Sequence, residues 1–200
     1  MIKAKDKSLL QMCIDEFEQK AQIELKLVIE PSAYHYLESI LGIIIGFIFL
    51  FWGVLHFLDQ DFSFIAIYLE TILASAVLYL LLNKLQLIQF LISAKQKKQR
   101  VQQKALFQFA HHKMYHTKMR SGLLMYYARL ERKALMIADV GVLEKIPKED
   151  FAKFQQQLEN ALNHKNFLDE TGSFIRSFAI YCHNKWPDET DENEISNEVH

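Results

Sequence analysis

An apolar block of more than forty residues constrains the fold of this chain more than any other feature. Residues 39–58 are 20 consecutive uncharged residues, and residues 62–83 are 22 residues interrupted only by Glu70. At about 1.5 Å per residue, each segment forms a helix long enough to cross roughly 30 Å of hydrocarbon. The connection "DQD" at 59–61 is long enough only for a tight turn. The sequence therefore predicts an antiparallel transmembrane hairpin over residues 39–83.

The charges around this block predict its orientation. Five Lys residues precede residue 39, the turn has no Lys or Arg, and nine basic residues with no Asp or Glu lie from Lys84 to Arg120. Lys and Arg accumulate on the cytoplasmic side of membrane segments. Both flanks are therefore expected in the cytoplasm. The charged first residues lack an apolar run with a cleavage site, so no signal peptide is expected.

Outside the block, the pattern is typical of mixed helix and strand. An amphipathic helix is predicted near the start, followed by the strand "QIELKLVIE", whose polar residues Glu24, Lys26 and Glu30 are expected to face water. After the block we predict a Lys/Gln-rich helix over 94–118, strands over 122–130 and 133–140, and two closing helices that end near Trp186. Residues 187–200 form an acidic tail with too few apolar residues to pack alone.

The order of these segments resembles the TPM-domain family in its membrane-anchored bacterial form. The residues that carry the resemblance are the strand at 121–130, Glu131 and Arg132 in the turn, "ADVG" at 138–141, and Asn193 and Glu194 in the tail. "FEQKAQIELKLVIEPSAYHY" is similar to the family's opening helix and first strand. The resemblance implies an α/β fold, a small mixed sheet covered by helices, with the hairpin inserted into one domain made of 1–33 and 94–186.

The insertion also solves a problem in the local pattern. A lone strand before the membrane needs a ladder partner, because buried backbone groups must be hydrogen-bonded. Pairing of residues 23–29 with the sheet formed after the membrane supplies that partner. Two spans return the chain to the side that it left, in agreement with the charges. The expected location is the bacterial inner membrane, as a multi-pass protein with both termini cytoplasmic.

The sequence contains few candidate catalytic or ligand-binding residues. No nucleophile elbow, phosphate-binding Gly-rich loop or zinc motif occurs in the sequence. Asp139 and Gly141, at the end of a predicted strand, are the candidate ligand-binding residues, with capping of a turn as the alternative for Asp139. His112 and His116 are four apart in a densely basic segment, so no metal site is expected there. Cys13 and Cys182 have no ligand spacing and are expected as reduced core thiols.

Glu70 is the one charge inside the predicted spans. An ionised carboxylate near mid-membrane costs at least roughly 2.5 kcal/mol, so a polar contact is expected. His56 is the obvious partner by type, but counting outward from Gln60 places Glu70 opposite Leu50, about 9 Å from the level of His56. A partner on another chain, a nearby hydroxyl, and an ion or proton path stay open.

Three glycines, Gly42, Gly46 and Gly53, fall on one face of the first span. Small residues at such spacing let helix backbones approach closely. We interpret this face as packing the hairpin or a homo-oligomer, with chance as the alternative.

Three function classes follow from these features. The preferred one is an accessory or scaffold module that binds an unknown membrane protein partner at the cytoplasmic membrane surface, and it needs no catalytic residue. The second is a weak metal-dependent phosphohydrolase: family members are reported as acid phosphatases, as calcium binders, or as accessory factors of membrane complexes, so the resemblance implies calcium as the candidate cofactor. The third is binding of lipid or another anionic surface by the basic run, whose simpler role is topological. No nucleic-acid partner is expected.

The orientation can be tested with reporter fusions. We expect a periplasmic phosphatase reporter to be inactive when it is fused after residue 200 and active when it is inserted at 59–61, because the Lys and Arg counts retain both flanks in the cytoplasm. Activity of the fusion after residue 200 would contradict the predicted topology.

Overall fold

The chain forms a mixed α/β structure that is mostly helical, in a computed structural model that describes residues 4–21, 23–34, 36–57, 64–84, 92–117 and 119–185. The elements in chain order are α1 (Ala4–Lys20), β1 (Glu24–Glu30), α2 (Leu37–Phe57), α3 (Phe64–Lys84), α4 (Ala94–His111), a 3₁₀ turn (Met114–His116), β2 (Gly122–Ala128), β3 (Lys133–Ala138), α5 (Val140–Lys145), α6 (Lys148–Asn163) and α7 (Phe167–Lys185). The predicted turn at 59–61 and the acidic tail at 187–200 lie outside the described residues.

The three strands form one mixed sheet in the order β1-β2-β3. β1 pairs in parallel with β2, and Leu27 lies opposite Met125 in that ladder. β2 pairs antiparallel with β3, and Tyr126 lies opposite Leu135. The predicted pairing of the early strand with the later sheet is therefore confirmed. Since parallel neighbours need a long crossover, residues 31–121 form that crossover and contain α2, α3 and α4.

The first helix satisfies part of the hydrogen bonding at the outer edge of β1. The backbone N–H of Leu25 donates to the Glu18 carboxylate of α1 at 2.9 Å. An edge strand leaves alternate backbone groups without a ladder partner, and a charged acceptor is a strong substitute. The short α1–β1 connection therefore places α1 against the sheet and satisfies part of its edge.

The main core lies between one face of the sheet and helices α1, α6 and α7. Phe178 of α7 is fully buried, stacks on Phe17 of α1 with ring centroids 5.6 Å apart, and meets Phe154 of α6 edge-on at 4.7 Å. Aromatic pairs in such geometries stabilise a core beyond the area that they bury. Ile23, just before β1, and alternate residues of each strand complete this core: Leu25, Leu27, Ile29, Leu123, Met125, Tyr127, Ala134 and Met136.

The second face of the sheet is packed as well, so the predicted water-facing side of β1 is wrong. Val28 and Tyr126 pack with Val101 and Ala105 of α4 on this side. The polar residues of β1 on the same side are also removed from water: Lys26 is 2% exposed and Glu24 is 9% exposed. Alternation of polar and apolar residues indicates the two faces of a strand, but it does not reveal that a crossover returns over the polar one.

Several boundaries differ from the predictions. α4 ends at His111 and not at residue 118, because Lys113 adopts a left-handed backbone with φ of 53° and the 3₁₀ turn follows. The chain then passes close to the start of β2, where a Cβ on Gly122 would overlap the Met114 carbonyl. The strands end at Ala128 and Ala138, and the short helix α5 replaces the expected end of the second strand.

The chain divides into two compact units, one made of Met1–Ala33 and Lys97–His200 and the other of Tyr34–Gln96. In the second unit, α2 and α3 pack together through Trp52, which contacts Tyr68 at 5.7 Å between ring centroids and donates from Nε1 to Thr71 at 3.2 Å. Trp52 lies in the second half of α2 and both partners lie in the first half of α3. The two helices are therefore antiparallel neighbours.

Truncation of the central aromatic residue tests this core. We expect Phe178→Ala to lower the free energy of unfolding by about 3–5 kcal/mol, because the cavity would lie between α1, α6 and α7. Chemical unfolding in detergent, followed by circular dichroism, measures the change. Ile180→Ala on the same helix is the control, since Ile180 is exposed and should change stability by less than about 0.5 kcal/mol. Equal effects of the two variants would show that the core is misassigned.

Candidate functional site

Asp139 is a helix cap and one half of an ion pair. Its side chain accepts from the Val140 N–H at 2.7 Å at the start of α5, and its two oxygens accept from Nε and Nη2 of Arg120 at 3.1 and 3.0 Å. This bidentate pair raises the pKa of Arg120, mainly through the hydrogen bond to Asp139. Both carboxylate oxygens are thus occupied by the protein itself. The geometry favours the capping alternative for Asp139 over a ligand-binding role.

Gly141 lies where the segment before β2 meets the start of α5. Its N–H donates to the Arg120 carbonyl at 3.1 Å, and a Cβ at this position would overlap the carbonyl of Met119. Arg120 itself has φ of 52°, a left-handed conformation. The segment before β2 and the start of α5 are therefore in backbone contact. Gly141 is required for that close approach, and no ligand role for it follows from the geometry.

His112 and His116 do not lie on one helix, although the predicted helix over 94–118 contained both. His112 lies after the end of α4 and His116 lies in the 3₁₀ turn. Thr117 ends this segment by accepting the Ser121 N–H at 2.8 Å. Across the residues that the structure describes, no three His, Cys, Asp or Glu side chains converge in a way that could hold a metal ion. The expectation of calcium rests on the family resemblance alone.

Both cysteines are free and buried in the main core, which confirms the prediction of reduced core thiols. Burial raises the pKa of the Cys182 thiol to about 12 and also raises that of Cys13. Thiolate is the reactive form, so neither side chain is poised for nucleophilic chemistry.

Glu30, the last residue of β1, connects the end of this strand to α4, the helix that precedes β2. Its carboxylate accepts from Gln108 Nε2 of α4 at 2.6 Å and from the Tyr126 hydroxyl of β2 at 2.8 Å, and Lys104 lies 3.6 Å away. Charged acceptors make stronger hydrogen bonds than neutral ones. One side chain thus connects β1, β2 and α4.

Glu131 forms a second connection, from the β2–β3 turn. Its buried carboxylate accepts from the Ser32 hydroxyl at 2.9 Å and from the Ala33 N–H at 3.2 Å. The Leu130 N–H adds a backbone bond to the Pro31 carbonyl at 2.9 Å. We name the contacts of Glu30 and Glu131 the insertion junction. Glu131 is part of the family resemblance, whereas Glu30 was expected only to face water. The signal for the role of Glu30 was its position as the last residue of the strand.

The outer side of α4 carries exposed apolar residues beside its basic ones. Val101, Ala105 and Gln108 are buried against the sheet, whereas Leu106 and Phe107 are 51% and 60% exposed. Tyr115 and Met119, in the segment that follows, are also exposed. We use the name α4 outer face for exposed side chains of this helix and of the segment that follows it: Lys95, Leu106, Phe107, Tyr115 and Met119.

A cleft opens between α1 and α7. It has a volume of about 350 Å³ and is lined in part by the exposed side chains of Leu9 and Met12 and by the buried Cys13. Arg176 and Glu16 lie at this cleft as an exposed ion pair at 3.4 Å. Its mixture of exposed apolar side chains and a charged pair makes it a candidate contact surface for a protein.

Within the hairpin, the polar contact is made by Thr71 and not by Glu70. Thr71 is buried, accepts from Trp52 and donates to the Ile67 carbonyl at 2.8 Å. Glu70 is exposed on α3, and among the described residues its carboxylate has no hydrogen bond or ion pair. The side chain of His56 lies outside the described residues. Counting outward from Gln60 places Trp52 opposite Tyr68, so the sequence held the signal for the observed contact.

The glycine face does not pack the hairpin. In the described part of the chain, no atom lies within 4 Å of a Cβ built on Gly42, Gly46 or Gly53. The described contacts between α2 and α3 are made instead by Trp52 with Tyr68 and Thr71. Packing of this face against a second molecule stays a prediction.

Comparison with known proteins identifies the fold class, a small α/β domain, and no family. No family model matches the chain, and no curated protein matches it. The fold is similar to the NMR structure of the BA42 protein from the psychrophilic bacterium Bizionia argentinensis, with a TM-score of 0.60 over 100% of this chain and 94% of that one. At 12% identity this likeness concerns the fold alone.

Two substitutions of Glu70 test a contact outside the hairpin. We expect Glu70→Gln to retain self-association or co-purification of a partner in detergent, because an amide and a protonated carboxyl form similar hydrogen bonds. Glu70→Leu removes the polar contact and should weaken association about fivefold, equivalent to about 1 kcal/mol.

The control for this experiment is Thr71→Val, which removes the bond to Trp52 inside the hairpin and should leave association unchanged. An ion or proton path predicts a different order, in which Gln is as damaging as Leu because it cannot release a proton. Equal and complete loss in both Glu70 variants would contradict the contact role.

Proposed function

We propose that this chain is a membrane-anchored accessory module of the TPM-domain type, which binds a protein partner at the cytoplasmic surface of a bacterial inner membrane. The observation that supports the proposal is that the apolar side chains of α2 and α3 are largely exposed. Each contains an 18-residue apolar window, of which only 6% and 11% is buried. The core helix of a soluble protein would be mostly covered, and uncovered apolar helices of this length are suited to lipid.

The place of the hairpin in the fold also supports anchoring. A cleavable signal would precede the folded domain, whereas α2 follows β1, a strand of the sheet. The insertion junction connects Glu30 and Ser32, which precede α2, to Gln108 of α4 and to Glu131. An insertion fastened at both ends suits an anchor that leaves and re-enters one domain on the same side of a membrane.

An accessory role agrees with the chemistry of the described residues. Asp139 is engaged by Arg120 and by the α5 N-terminus, so it offers no open carboxylate for a metal or a phosphate. The α1–α7 cleft, by contrast, presents exposed apolar side chains that a protein partner could cover. The weak phosphohydrolase is retained as the alternative to be tested.

Membrane anchoring is tested by a matched pair of fourfold variants to Gln. The hairpin variant changes exposed residues of α2 and α3, and the domain variant changes exposed residues of the first unit. We expect wild type and the domain variant to stay in the pellet after alkaline carbonate extraction, and the hairpin variant to be released, because each Gln removes apolar surface that lipid would cover. Wild type in the soluble fraction would contradict anchoring. The hairpin changes are at Phe49, Leu50, Leu69 and Leu73, and the domain changes are at Leu9, Met12, Val140 and Ile180.

The partner role is tested in the same membranes. Tagged full-length chain is cross-linked and purified, and the co-purified protein should diminish with Met12→Glu in the cleft and not with Ile180→Glu on the same unit. Hydrolysis of p-nitrophenyl phosphate with calcium or magnesium is measured in parallel. Activity that Asp139→Asn abolishes, with an unchanged thermal midpoint, would favour the phosphohydrolase instead.

A further inference from the structure

We propose that the α4 outer face docks on anionic lipid headgroups of the membrane in which the hairpin is anchored. The proposal rests on the proposed function for the anchor and adds a second, electrostatic contact with the same membrane. The described residues support it in three steps: an apolar edge that the fold leaves uncovered, a charge pattern without acidic residues, and a short covalent connection to α3.

The first step is the distribution of side chains around α4. At 100° per residue, Val101, Ala105 and Gln108 share the buried side and Leu106 and Phe107 project away from it. The exposed Phe107 ring lies 5.6 Å from Lys104 Nζ and stacks on His111 at 5.8 Å. Single exposed apolar residues are ordinary, but adjacent ones flanked by cations are typical of helices that lie in a membrane interface.

The second step is charge. From Lys84 to Arg120 the chain has nine basic residues and no Asp or Glu. Within this run, Lys104 is engaged by Glu30 and Arg120 by Asp139. Lys95 and Lys98 are exposed near the start of α4. A surface with this excess of positive charge is complementary to anionic phosphate headgroups.

The third step is the connection. Residues 85–93 separate the end of α3 from the start of α4, and nine residues reach at most about 30 Å at roughly 3.3–3.6 Å each. If α3 spans a bilayer, the start of α4 is confined to that distance from the end of the span. A weak contact is then favoured, because the local concentration of lipid is high.

Lipid is favoured over nucleic acid by the type of the apolar residues. Leu106 and Met119 are aliphatic and offer no ring for a base to stack on, whereas an acyl-chain boundary accepts them as readily as it accepts the rings of Phe107 and Tyr115. Cations beside aliphatic side chains match the two layers of a membrane interface, headgroup and hydrocarbon. A nucleic acid is therefore kept as an outcome of the test.

The test uses the full chain in nanodiscs of phosphatidylcholine alone or of phosphatidylcholine mixed with phosphatidylglycerol. An environment-sensitive dye is attached at Gln103→Cys on the exposed side of α4, or at Gln156→Cys on α6 as the control position. The native thiols are buried and should not react. We expect a blue shift at position 103 that depends on phosphatidylglycerol, decreases with salt, and is absent at position 156.

Two sets of variants separate the cations from the apolar edge. Lys95→Gln should lower the docking equilibrium constant about fivefold, since a basic residue contributes about that factor near an anionic surface. Leu106→Ser with Phe107→Ser should abolish the blue shift even with phosphatidylglycerol. Lys148→Gln with Lys165→Gln, which removes two exposed cations from other elements, should change nothing.

The outcomes distinguish this proposal from the anchor. A chain that enters both kinds of nanodisc but responds equally to them overturns lipid docking and leaves the anchor intact. A chain that enters neither overturns both. A blue shift that appears with a short RNA or DNA and not with phosphatidylglycerol assigns the surface to nucleic acid and overturns the lipid proposal.

Discussion

Parallel pairing of β1 with β2 is the constraint on which the rest of the structure depends. Adjacent parallel strands require the chain to return from one end of the sheet to the other, and no short turn can do so. In this chain the return contains two apolar helices and then α4, which packs on the second face of the sheet. The order of elements, the burial of Lys26 and the need for fastening at the insertion follow from that single requirement.

Two carboxylates of the insertion junction connect the two ends of the crossover. Glu30 accepts hydrogen bonds from α4 and β2, and Glu131 accepts them from the residues that precede α2. Removal of one partner of a buried charged hydrogen bond costs more than the bond itself contributes, because the other partner stays desolvated. A small number of polar contacts thus keeps the two ends of the long crossover together. The apolar hairpin itself contributes no strand to the sheet.

The corner around Asp139 shows how a conspicuous residue can be structural. A carboxylate after a strand and close to a glycine is a common arrangement at ligand sites. Here Arg120 and the start of α5 take both oxygens, and Gly141 allows the two backbones to approach. Among the described residues, exposed apolar side chains lie instead on the hairpin, at the α1–α7 cleft and on the α4 outer face. These surfaces are the ones on which the proposed contacts with lipid and with a protein partner rest.

Sequence alone determined the elements whose signal is local. Two long apolar runs, an alternating strand and periodic closing helices predicted α2, α3, β1, α6 and α7, and the lone strand's need for a ladder predicted its pairing. Tertiary structure decided what local patterns do not encode: that α4 covers the polar side of β1 and that Arg120 occupies Asp139. The physical reason is that burial and hydrogen-bond partners depend on residues distant in the chain, such as Glu30 and Gln108, which only the completed crossover brings together.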